Sequence, residues 1–108
     1  MTLSASQILA AHDFRSQVVP VPEWGGEVRI RTFSLRVKEA LEECYLSKKQ
    51  TGIRAIMLAG SICDDTGRLL FDADNVAALE EKSGEVCNRL FEAIAELNKS
   101  DVEDDAKN

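Results

Sequence analysis

A chain of 108 residues is long enough for one domain with a single modest core and too short for two. Hydrophobic residues make up 44% and charged residues 30%, so the chain carries material for both a core and a solvated surface. The formal net charge of −6 argues against nucleic acid as a main partner, because phosphate binding needs clustered Lys and Arg.

No stretch approaches the roughly 18 apolar residues of a membrane span, so no membrane partner is expected. Met1 to Ala11 lacks the basic start of a secretory leader, which predicts a cytoplasmic protein. Cys44, Cys63 and Cys87 are odd in number and far apart, with no CxxC, and His12 is the single histidine. That pattern disfavours a zinc site and fits free thiols in a reducing compartment.

In chain order, the segment "SASQILAAHDF" has the makings of a short helix with Ile8, Leu9 and Phe14 as sticky positions. The next stretch, 17–33, reads as a β-hairpin. Val19 and Val21 alternate with Pro20 and Pro22, Val28 and Ile30 alternate with Arg29 and Arg31, and Gly25-Gly26 lies between them. Two prolines that cannot donate to a ladder make the first strand an edge or leave it only partly paired. Trp24 falls at the turn, either as a lid on the core or offered to a partner. Residues 34–49 read as a helix capped by Ser34, with Val37, Ala40, Leu41, Cys44 and Tyr45 in one stripe. Lys48 and Lys49 fall near its end, where cations suit the helix dipole.

The run 53–63, "IRAIMLAGSIC", is apolar or small on nearly every side and reads as the most buried helix. Residues 73–82 and 84–98 read as two further helices broken at Ser83-Gly84, with one helix running through as the alternative; the second piece carries Cys87, Leu90, Phe91, Ile94 and Leu97 in its stripe. Residues 1–98 are therefore expected to form one globular domain. Residues 99–108 are polar and acidic and are expected to be a disordered tail. The fold class is α+β, mainly α: a small helical domain with one N-terminal β-hairpin.

One stretch tests for chemistry. "CDDTGRLLFD" contains Asp65-Thr66-Gly67, the signature triplet of aspartic proteases, and three acidic residues in ten. An aspartic protease needs a paired second Asp in an almost all-β fold, which a mostly helical chain does not offer. A calcium loop starting at Asp72 would place Val76 and Ala77 where an oxygen ligand and a glycine are required. The stretch reads as turn chemistry followed by a helix cap at Asp72. Gly25-Gly26 lacks the Lys and Ser of a phosphate loop, and one histidine has no assignable catalytic partner. No catalytic residue, cofactor or metal ligand is expected, and a binding protein is. The hairpin offers the candidate partner-binding residues: Trp24, Val19, Val21, Arg29 and Arg31.

The order of elements and several strings resemble the tail assembly chaperones of long-tailed bacteriophages with noncontractile tails. The strings are "VPVPEWGGEVRIRTFS", "LAGSICDDTGRLLFDADNVAALEEKSGEVCNRLFEAIAELN" and "VEDDAKN", together spanning about Val19 to the end. The resemblance implies a protein that coats the tape measure protein, keeps it soluble and recruits tail tube subunits. It also implies head-to-tail self-association into rings or spirals, action in the host bacterial cytoplasm and absence from the mature virion. Many relatives are made in two forms by ribosomal frameshifting. Two other readings are a generic acidic adaptor or inhibitor that binds a host protein, and a small enzyme using Asp64 or Asp65.

Overall fold

The structure, a computed structural model, describes residues 1–47 and 52–107, with side chains described as far as Lys99. Among these residues there are five α-helices and a three-stranded antiparallel sheet, the mainly helical α+β class that the sequence predicts.

Helix α1 spans Ala5–Ala10 and is opened by a capping box. The Gln7 amide donates to the Ser4 hydroxyl at 3.3 Å, and the Ser4 amide donates to the Gln7 side chain at 2.8 Å. Six residues are below the length at which a helix is stable alone in water, so this reciprocal cap is its main local support. None of residues 1–15 is buried.

Strands β1 (Ser16–Val21) and β2 (Gly26–Arg31) form the hairpin, in the register Val19↔Val28 and Gln17↔Ile30. A single 3₁₀ turn, Pro22–Trp24, joins them. On the inner face, Val19, Val21 and Ile30 are buried. Alternation thus sorts the hairpin into a core face and an outer face carrying Val18, Arg29 and Arg31.

Helix α2 (Leu35–Leu46) starts where the Ser34 hydroxyl accepts from the Val37 amide at 3.3 Å. Leu41 is buried, Val37 and Cys44 pack partly against the core, and Ala40 and Tyr45 face outward. Lys48 and Lys49, the expected basic end of this helix, lie outside the described residues.

Helix α3 (Ile53–Ala59) is the most buried helix, with Ile53, Ala55, Met57, Leu58 and Ala59 all inside. It ends four residues earlier than the sequence predicts. A side chain at Gly60 would come within 2.6 Å of Val37, so α2 crosses there at a distance only glycine permits. The chain then turns through Ser61, whose hydroxyl donates to the Arg31 carbonyl at 2.6 Å. Ile62–Cys63 form strand β3, paired to β2 through Arg29↔Cys63 and Ile30↔Ile62. The sheet order is β1-β2-β3, which leaves β1 at an open edge.

The expected helix at 73–82 is a 3₁₀ turn, Ala73–Asn75, followed by the short helix α4, Val76–Leu79. Helix α5 spans Gly84–Lys107, so its backbone continues past 98, where the sequence reading places a disordered tail. Val86, Leu90 and Ile94 recur at helical spacing and are buried against the inner face of the hairpin and α3. Asn98 closes this end: its side-chain oxygen accepts from the Phe33 amide at 2.9 Å.

Candidate partner-binding surface

The open edge of β1 is defined by its register. The Thr32 amide donates to the Arg15 carbonyl, and Arg31 donates away from β1 to the Ser61 carbonyl. In an antiparallel pair these directions alternate, so the backbone groups of Ser16, Val18 and Pro20 point away from β2. Pro20 has no N–H to offer, which blunts one end of the edge. Ser16 and Val18 keep theirs, and Val18 is 37% exposed. The result is a two-donor stretch of free ladder beside an exposed aliphatic side chain.

The sequence-predicted residues separate into three groups. Trp24 is 38% exposed at the hairpin tip. Its ring lines a recess of about 410 Å³ together with Val28, Ile62, Leu70, Phe71 and Leu79, and the Lys82 ammonium lies 5.5 Å from the ring centroid. Trp24 is thus partly folded onto the body and partly offered to solvent. Arg29 and Arg31 are half-buried on the outer face. Arg29 donates to the Ser16 hydroxyl at 3.2 Å, and the Arg31 guanidinium stacks 4.0 Å from the Phe14 ring centroid and donates to the Gly67 carbonyl. Val19 and Val21 point inward and are buried at 7% and 0% exposure, so in this chain they support the hairpin from inside.

The tip is pinned from outside by a pair the sequence does not reveal. Glu23 accepts both guanidinium nitrogens of Arg89, at 2.9 and 2.5 Å. This two-point contact with Arg89 lowers the Glu23 carboxyl to a pKa of about 2 and raises that of Arg89. Sixty-six residues separate the partners, and no local pattern links them.

The Asp64–Gly67 stretch is a turn. The Asp64 carboxylate accepts from the Thr66 amide at 2.9 Å, the Thr66 hydroxyl at 2.6 Å and the Arg68 amide at 3.0 Å. These bonds, the Thr66 hydroxyl foremost, hold the carboxyl below its ordinary pKa. Gly67 takes the left-handed conformation that closes the turn, at φ 89°. Asp72 accepts from the Asp74 amide at 2.9 Å in a capping box with Asn75. Among the described residues no three His, Cys, Asp or Glu side chains are grouped to hold a metal ion. Burial raises the pKa of the Cys63 and Cys87 thiols, which keeps them in the unreactive protonated form.

The sequence reading misses one further surface. Met1, Leu3, Ile8 and Leu9 are all more than half exposed on the N-terminal arm, and none of them belongs to the core cluster. Their sticky character is visible in the sequence; that they remain outside the core is not.

The comparisons give this surface its context. The sequence model of the phage tail assembly chaperone family matches residues 4–108. The solved structure of the bacteriophage HK97 tail assembly chaperone is similar, with a TM-score of 0.67 and 25% identity over 85% of this chain and 90% of that one. No curated protein matches the chain. A family match that takes in the hairpin, the buried α3 and the whole of α5, joined to a shared fold, leads to one conclusion: this chain belongs to the phage tail assembly chaperone family.

Proposed function

We propose that this protein binds the tape measure protein of its phage, keeps that chain soluble and helps recruit tail tube subunits. It acts in the host bacterial cytoplasm and is absent from the mature virion. It works by binding alone and not as an enzyme. Copies associate head to tail, in a ring or spiral around the long partner, because one small body covers only a short length of it. Weak contacts repeated along the partner add through multivalency and release stepwise when tube subunits compete.

The observation that carries this reading is the open β1 edge. Two free N–H groups at Ser16 and Val18 lie beside the exposed Val18 and on the same hairpin as Trp24. An extended partner segment added there gains main-chain hydrogen bonds, with apolar contacts to fix its register. Trp24, Arg29 and Arg31 remain the candidate partner contacts on this hairpin.

The test is Val18→Pro. That position is not hydrogen-bonded to β2, so proline there removes an outward donor and the exposed valine side chain without breaking a bond to β2, as Pro20 already sits two residues on. The variant is expected to keep its thermal midpoint by circular dichroism and to lose most of its capture of the tape measure protein in a pull-down. Undiminished capture by a folded variant would overturn the edge reading.

A further inference from the structure

The hairpin tip is a short piece of chain with few attachments. Its ladder ends at Val21↔Gly26, and the single turn Pro22–Trp24 lies beyond that pair. Gly25 closes the turn in the left-handed conformation, at φ 79°, and a side chain at Gly25 or Gly26 would meet nothing within 4 Å. Open space therefore surrounds the end of the tip. Among the described residues, the only hydrogen bonds from the turn to another part of the molecule are those of Glu23 to Arg89 on α5. The other attachment is the indole of Trp24, which walls the recess of about 410 Å³ with Val28, Phe71 and Leu79 and has the Lys82 ammonium over its ring.

Stability alone is the bland account of the Glu23–Arg89 pair. The two side chains are 41% and 40% exposed, and an exposed pair adds little to a hairpin whose ladder is already closed behind it. What the pair fixes is position: Glu23 is next in the chain to Trp24, so holding one sets where the other lies. We propose that Pro22–Gly25 is a lid on the recess, with Glu23–Arg89 as its latch and Gly25-Gly26 as its hinge. Latched, the indole shields the apolar floor of Val28, Phe71 and Leu79 from water. Released, the turn swings out at the two glycines and uncovers that floor beside Leu70, which is already 57% exposed. An exposed latch opens readily, because water, salt and any competing carboxylate reach Arg89. The inference does not depend on which partner the protein holds.

The experiment reads two signals on the full chain. One is the fluorescence of Nile red, a neutral dye that brightens on apolar surface, and the other is acrylamide quenching of Trp24, the single tryptophan. Arg89 is exposed and outside the core cluster, so Arg89→Gln is expected to keep the thermal midpoint. It should raise the dye signal roughly two- to fivefold and make Trp24 easier to quench. Glu23→Gln removes the same pair from the other side, should do the same, and keeps the test valid if Arg89→Gln fails to fold. Glu23→Arg combined with Arg89→Glu rebuilds the pair in reverse and should return both signals to wild-type values. In a Trp24→Ala background the dye signal should be high, and Arg89→Gln should add nothing to it. Signals unchanged in folded pair-breaking variants would overturn the latch, and unfolding of both variants would make the pair a structural support, which overturns it as well. A reversed pair that restores neither signal would assign the change to the loss of Arg89 alone, with the same consequence. A dye signal that falls in Trp24→Ala would mean that the indole builds the recess and does not cover it, which overturns the lid.

Discussion

Glu23 is the residue whose behaviour most directly reports the hairpin tip. Its carboxyl is held at a pKa of about 2 by the two-point contact with Arg89, against an ordinary 4.5. A depressed carboxyl stabilises the folded form above pH 4.5, and that contribution is lost as pH falls through 4.5 towards 2. The sequence contains one tryptophan, Trp24, next in the chain to Glu23. Its fluorescence is therefore expected to be constant from neutral pH to about 5 and to change between pH 4.5 and 2 as the tip comes free. Glu23→Gln should show the released signal already at neutral pH. A wild-type titration flat across that range would mean the Arg89 contact does not hold the tip. At this scale the sequence is partly legible. The turn at Asp64, the cap at Ser34 and the cap at Asp72 follow from local side-chain chemistry and stand where the sequence puts them. Glu23–Arg89 joins residues far apart in the chain and has no local signature.

The elements show where periodicity suffices and where it does not. The hairpin is legible because alternating valines and arginines leave one geometry that buries the apolar set. The end of α3 is not. "GSIC" continues an apolar run that suits a helix or a buried strand equally, and the choice is made by distant groups. Val37 crowds Gly60 from α2, and Arg31 offers backbone partners to Ser61 from β2. The two buried valines of β1 illustrate the same limit: alternation marks them as a set, and only the packed structure says that the set faces the core. Leu58 of α3 is 2% exposed among apolar neighbours, so Leu58→Asp buries a charge with no partner. That costs several kcal/mol against a total stability of about 5–15 kcal/mol. The variant is expected to be unfolded by circular dichroism and thermal melting. A soluble variant with a cooperative melt would show that α3 is not the centre of the core.

The whole molecule is a small acidic body with its candidate binding features on the outside: an open sheet edge, a half-exposed tryptophan and an apolar N-terminal arm. None of these is a pocket with convergent catalytic groups, and all of them suit a protein whose work is to hold other chains. Their separation over several faces fits one copy touching a neighbour and a shared long partner at once. The most direct measurement is co-expression of this protein with the tape measure protein of its phage, followed by size-exclusion chromatography with mass measurement. The account predicts a soluble complex with many copies of this chain per tape measure chain. A tape measure protein that stays insoluble, or a complex of one to one, would contradict it.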